Sequence, residues 1–171
     1  MDYEELRGAV AGGAVALRVT QRLQPAEGRG GKVFPPTYAP PAGTRLRYAM
    51  ERRVVGGEEV DCVLLDSVAS QANRMELALL DEWERGAIPL VVAAVDFAGE
   101  EGLEDLGRIT ALEAPHRIAD AIFRDSLLDG TLFRLSDVGR AVTDASPANA
   151  SALYTYHPTG LLFGMWDSTG P

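Results

Sequence analysis

Ser67, Ser70, Gln71 and Arg74 recur at intervals of three and four residues, with Asn73 at the edge of the series. At 100° per residue they share one side of a helix, together with Arg85 and Asp81. The series is rich in hydrogen-bond donors and has no long aliphatic side chain, where a merely solvated face ordinarily carries Lys and Glu. It starts at the beginning of the helix, directly after a strand-like run ending at Leu65. Free N–H groups of that first turn suit an anion such as phosphate. A second polar set is cationic: Lys32, the only lysine, lies in a Gly-rich stretch, and Arg45, Arg47, Arg52 and Arg53 lie on a strand-like run.

Catalytic chemistry has few candidates. His116 and His157 each adjoin a proline at an expected helix end, and His157 reads as a cap or turn residue. The single cysteine, Cys62, allows neither an intramolecular disulfide nor metal-ligand spacing, and in its strand-like run it reads as a small buried hydrophobe. No Gly-x-Ser-x-Gly elbow exists. The stretch ending Gly31-Lys32-Val33 approaches a phosphate-binding loop. Ala26 and Val33 stand where that motif needs glycine and Ser or Thr, and Phe34-Pro35-Pro36 forbids the helix that must follow. A nucleotide triphosphatase is excluded. Asp61, Asp66 and Asp96 leave a metal-dependent nuclease as an alternative, with no motif behind it; Asp96 alone reads as a turn former. No catalytic residue, metal or cofactor is expected.

The elements that must position these residues follow from periodicity and punctuation. Residues 2–12 read as a short helix or arm, closed by Gly12-Gly13. Residues 14–23 alternate, with Val15, Leu17, Val19 and Leu23 on one face and Arg18, Thr20 and Arg22 on the other, which predicts a half-buried strand. Residues 24–44 hold five of the ten prolines and four glycines without periodicity, a long loop. Arg45 to Val55 and Glu59 to Leu65 flank Gly56-Gly57 and predict a hairpin. The central helix runs to Gly86, with Asp66 as its cap and Val68, Ala72, Met75, Leu79 and Trp83 as its inner face. Ile88 to Phe97 reads as a buried strand, 98–108 as an acidic surface loop, and Ile109 to Glu113 as a short strand. A helix is expected from Pro115 to Asp129, with Ile118, Ala121, Ile122 and Leu128 inward. Ser136 or Asp137 opens another, and Ser146-Pro147 opens a third that ends at His157-Pro158. Thr159 to Trp166 reads as a last strand. This order suggests an α+β domain.

The chain has 171 residues, enough for one domain with a real core. Its formal net charge of −9 argues against a general nucleic-acid binder. The charge is uneven: residues 1–53 hold nine of the sixteen basic residues and five acids, and the remainder holds seven basic residues and twenty acids. A positive surface therefore has to come mainly from the first third. Met1-Asp2-Tyr3-Glu4-Glu5 is acidic and leads no apolar run, so no signal peptide is expected. The longest apolar run, Ile88 to Val95, is too short to span a bilayer. With the lone thiol, this suggests a cytoplasmic protein.

Asp66-Ser67-Val68-x-Ser70-Gln71-Ala72-Asn73-Arg74-x-Glu76 resembles the signature of the backbone subunit of type I-U (I-G) CRISPR effector complexes, a branch of the repeat-associated mysterious protein superfamily. Lys32-Val33-Phe34-Pro35-Pro36-Thr37-Tyr38 upstream agrees with it. So do His157-Pro158-Thr159 and Phe163-Gly164-Met165-Trp166-Asp167-Ser168 downstream. The three blocks occur in the family's order and the likeness covers roughly residue 13 to the end. The family's chains continue past the Trp-Asp-Ser block, whereas this one stops at Pro171, like an N-terminal part or a shortened form.

The resemblance implies a single RNA-recognition-motif-like (ferredoxin-like) domain over residues 1–171, incomplete relative to the family, with a loop and hairpin insertion at about 24–65. It implies a non-catalytic subunit that stacks with copies of itself along a CRISPR guide RNA, beside other effector-complex subunits. Such a subunit holds the RNA backbone without reading sequence and leaves the bases free to pair with target DNA. The RNA-binding candidates are then Lys32, Arg45, Arg47, Arg52, Arg53, Ser67, Ser70, Gln71, Asn73 and Arg74. For the hairpin arginines two uses stay open: pairing with acids across the hairpin, at about 0.2–1 kcal/mol per pair, or contact with RNA phosphates. A protein-interaction module without RNA affinity is the other alternative, and it fits the net charge.

Overall fold

Asp2 opens helix α1 (Tyr3–Ala11) with a reciprocal capping box: its carboxylate accepts from the Glu5 N–H and the Glu5 carboxylate accepts from the Asp2 N–H, both at 2.9 Å. The computed structural model describes residues 2–40 and 42–167. Pro41 of the long loop lies outside them, as does Ser168 of the third matching block. The chain divides into two compact units, Met1–Leu65 and Asp66–Pro171. The second begins where the expected insertion ends.

In the first unit the expected hairpin forms from β1 (Met50–Val55) and β2 (Glu58–Val63), in register from Met50 opposite Val63 to Val55 opposite Glu58. Gly56 and Gly57 turn it with φ of 64° and 91°, the left-handed pair that a two-residue hairpin loop requires. The first strand starts at Met50 rather than at Arg45. The expected strand over 14–23 is absent. Val15, Leu17, Val19 and Leu23 are 99%, 61%, 72% and 88% exposed. Alternation yields a strand only beside a partner, and here β1 and β2 pair with each other alone. No described residue of this unit is buried.

The second unit begins with α2 (Val68–Glu84). Ser67, not the expected Asp66, caps it: its backbone is extended and its Oγ accepts from the Ser70 N–H at 3.0 Å. The helix closes where the Ala87 N–H reaches the Glu82 carbonyl around Gly86 at φ 70°. Its inner side also differs from expectation. Val68 and Met75 are exposed, Glu76 and Leu80 are buried, and Ala72, Leu79 and Trp83 are half-buried. A glutamate can hold that inner position because an arginine meets it there.

Strand β3 (Ala94–Asp96) is three residues of the expected run from Ile88 to Phe97, and it pairs antiparallel with β4 (Arg108–Thr110). The expected helix from Pro115 to Asp129 is broken. Arg117–Ala119 form a 3-10 turn with Arg117 at φ 57°. Asp120 then turns extended and caps α3 (Ala121–Arg124) through the Ile122 N–H. The strands β5 (Leu127–Leu128) and β6 (Thr131–Leu132) follow, joined by Asp129-Gly130, both at positive φ. The first strand of that hairpin falls inside the expected helix. Ser136 caps α4 (Asp137–Thr143) as expected. Gly139 allows α4 to sit on the preceding turn, since a Cβ there would lie 1.7 Å from the Phe133 carbonyl oxygen. Helix α5 (Ser151–Tyr156) starts later than Ser146, and α6 (Pro158–Phe163) replaces the expected last strand, with Pro158 at its first position.

The core of this unit is Ala111, Ala114, Ile118, Phe123 and Val142, with Val95, Phe133 and Leu153 packed on it. The Phe123 and Phe133 rings meet edge to face at 6.5 Å. The architecture is mixed helix with small sheets, α+β, and the described residues form three separate two-stranded antiparallel sheets. Among them no helix is long and apolar enough to cross a membrane.

Candidate nucleic-acid interface

The polar flank of α2 faces solvent. Gln71, Asn73 and Arg74 are exposed, and Ser67 and Ser70 are half-buried. Arg74 is bound within the flank: its guanidinium donates to Ser70 Oγ at 3.1 Å, to Gln71 Oε1 at 3.2 Å and to the Asp66 carboxylate. Released from capping, Asp66 serves as the counter-ion of Arg74. The amide groups of Gln71 and Asn73 and the hydroxyls of Ser67 and Ser70, which act as acceptors in these contacts, keep hydrogen-bond donors on this flank.

The five candidates of the first unit divide by pairing. Arg52 lies opposite Asp61 in register and donates to it at 3.0 Å, with Glu59 at 3.9 Å. Arg53 pairs with Glu51 on its own strand. The cross-hairpin pairing is realised for Arg52, whereas Arg53 pairs along its own strand, and such exposed pairs are worth little. Lys32, Arg45 and Arg47 are exposed and make no ion pair among the described residues. Lys32 leaves a tight double turn, in which the Gly28 N–H reaches the Pro25 carbonyl and the Gly31 N–H reaches the Gly28 carbonyl. The Arg47 carbonyl accepts from the Tyr38 N–H at 2.7 Å and ties the end of the long loop to the approach of β1.

Arg18, Arg22 and Arg29 share the unpaired state and were not among the candidates. The signal was available: from Ala14 to Ala26 the sequence contains no acid. Six of the nine basic residues of the first unit therefore stand without an acidic partner among the described residues. The second unit does the opposite. Six of its seven arginines are in ion pairs, with Arg140 the exception among the described residues.

One of those pairs is buried. Arg117 donates to Glu76 through Nε at 2.5 Å and Nη2 at 2.8 Å, a two-point contact that holds α2 to the 3-10 turn. His157 is also buried, at 1% exposed, and its Nε2 has no partner. Burial, with the nearby Arg117 charge as a lesser cause, lowers its pKa to about 4. Gly160 gives the imidazole room, since a Cβ there would lie 2.5 Å from its Cδ2. His157 thus stands at the junction that ends α5 and opens α6, as its neighbouring proline suggests, and its neutral ring is in addition part of the buried interior.

The carboxylates of the nuclease alternative have structural occupations. Asp61 binds Arg52, Asp66 binds Arg74, and Asp96 accepts from the Ala98 N–H at 2.9 Å. No group of three or more His, Cys, Asp or Glu among the described residues could hold a metal ion.

The first unit thus carries cations that no described acid pairs, and the second carries a helix flank with exposed amide groups. Residues 17–171 match the family model of the CRISPR-associated protein GSU0053. The chain belongs to that family. No curated protein and no solved structure gives a significant match.

Proposed function

We propose that this chain is a non-catalytic, cytoplasmic backbone subunit of a type I-U (I-G) CRISPR interference complex. It holds guide RNA by its sugar-phosphate chain without reading sequence. It stacks with copies of itself and with other effector subunits, and leaves the bases free to pair with target DNA. Beside family membership, the supporting observation is the division of cations: the second unit spends its arginines on its own acids, and the first keeps most of its cations free of acids. Phosphate binding draws on cations that are not already neutralised. On this reading Arg29, Lys32, Arg45 and Arg47 take phosphates. Ser67, Ser70, Gln71 and Asn73 bond to sugar and phosphate oxygens. Arg52, Arg53 and Arg74 reach phosphate by exchanging their carboxylate partners. An RNA-recognition-motif-like core has a four-stranded sheet, so the same reading requires further strands beside the β3–β4 pair.

Gel filtration of the chain with and without guide RNA tests it. The expected result is co-elution with RNA and an absorbance ratio raised toward that of nucleic acid. Separate elution at low salt overturns it. Guide RNA incubated with the chain and Mg²⁺ or Mn²⁺ is expected to stay intact. Cleavage abolished by Asp61→Asn, Asp66→Asn or Asp96→Asn would establish the nuclease alternative instead.

A further inference from the structure

We infer that residues 15–23 of one copy add as a strand to the open edge of β3 in a second copy. The inference rests on the reading of the chain as a self-stacking subunit and names the contact that does the stacking. Strand β3 has a partner on one side only. The Ala93 carbonyl accepts from the Ala111 N–H and the Phe97 N–H donates to the Gly107 carbonyl, both at 2.9 Å, with Val95 opposite Ile109 between them. Antiparallel pairing alternates, so Ala94 and Asp96 direct their N–H and C=O groups to the other edge. Strand β3 borders a groove of about 750 Å³, lined by residues 91–97 and by Ile118, Phe123, Phe133 and Tyr156. An unpaired edge beside an apolar groove is the usual receptor for an added strand.

The donor has the matching pattern. Val15, Leu17 and Val19 are exposed and alternate with Arg18 and with the side of Thr20 and Arg22. A strand laid on β3 continues both faces of the sheet. Its apolar face extends that of Ala93 and Val95, which pack on the core. Its arginine face lies beside Asp96. The groove is lined by Asp96, Glu100 and Asp125 and by no Lys or Arg. Arg124 already occupies Asp125, whereas Asp96 and Glu100 make no ion pair among the described residues. Arg108, opposite Asp96 in register, is drawn away to Glu84 at 3.1 Å and to the Trp83 ring. Two unpaired arginines on the donor thus meet two unpaired acids on the acceptor. The contact joins different surfaces of two copies, so each copy keeps a free donor and a free acceptor for a next copy, as stacking along a guide RNA requires.

Sedimentation velocity of the full chain without RNA tests the contact, so a failure of RNA binding leaves the result unchanged, and a failure of stacking leaves RNA binding measurable. Wild type is expected to associate as concentration rises. Leu17→Asp/Val19→Asp removes the donor, and Ala94→Pro blocks the edge at a residue whose N–H points outward. Each is expected to weaken association by roughly tenfold or more. An equimolar mixture of the two is expected to form a one-to-one dimer, since each supplies the half that the other lacks. Arg18→Glu/Arg22→Glu gives an independent reading: it weakens association, and an Asp96→Arg partner restores it. A monomeric wild type, association untouched by these variants, or a mixture that stays monomeric because each segment docks on its own chain would overturn the proposal.

Discussion

His157 shows how a single residue ties the sequence to the stability of the second unit. Its folded pKa, about 4, lies below the ordinary value of 6.5. The unfolded chain therefore binds a proton first as pH falls, and protonation favours unfolding. The contribution is fully present above pH 6.5 and is lost as pH drops from 6.5 toward 4. Urea unfolding is expected to give about 2 kcal/mol less stability at pH 5 than at pH 7.5 from this group. In His157→Asn that part of the pH slope disappears. Glu76 and Arg117 make a second residue-scale prediction. Arg117→Ala leaves a carboxylate buried without its partner and is expected to cost about 3–5 kcal/mol in a denaturant titration. Glu76→Leu/Arg117→Met, which removes both charges, is expected to cost much less. Neither role was visible in the sequence. Glu76 and Arg117 are 41 positions apart, and a glutamate on a helix reads as solvated until its partner is in place. The proline after His157 signalled a helix boundary correctly but said nothing of the ring's burial.

Elements with local signals were legible, and those that depend on a distant partner were not. The hairpin from Met50 to Val63 was readable because Gly56-Gly57 and the alternation lie within one stretch. The same holds for α2 and its stop at Gly86, although its cap is Ser67 rather than Asp66, and for α4 behind Ser136. The strand expected over 14–23 failed for want of a neighbour. The strand expected from Thr159 became α6 because Pro158 preset the helical φ of its first position. The helix expected from Pro115 broke where Asp120 turned extended to cap α3. Of the candidate site, residue types and exposure were legible. The pairing of Arg52 across the hairpin was one of two uses left open, while the pairing of Arg53 with Glu51 and of Arg74 with Asp66 was not legible, because it depends on rotamers. The two classes of contact separate in a binding curve. Gln71→Ala and Asn73→Ala on α2 are expected to weaken RNA binding without changing its salt dependence, since a neutral amide displaces no counter-ion. At Gly139 the close approach of α4 to Phe133 gives a packing test: Gly139→Ala is expected to cost about 3 kcal/mol in thermal or urea unfolding.

Across the whole chain, charge is sorted rather than balanced. The acids exceed the basic residues by nine, yet among the described residues the unpaired cations cluster in the first 47 positions and the arginines of the second unit are almost all in ion pairs. A net negative protein can bind a polyanion through such a segment, because only the local potential at the contact matters beyond a Debye length of about 8–10 Å. The decisive measurement is the affinity of the full chain for guide RNA as a function of salt, compared between wild type and Arg45→Ala/Arg47→Ala. Single-stranded contacts each contribute about 0.7 to the slope of log affinity against log salt, so the double substitution is expected to lower it by about 1.4. An unchanged slope, or no binding by the wild type at low salt, would contradict the assignment of these arginines to the RNA backbone.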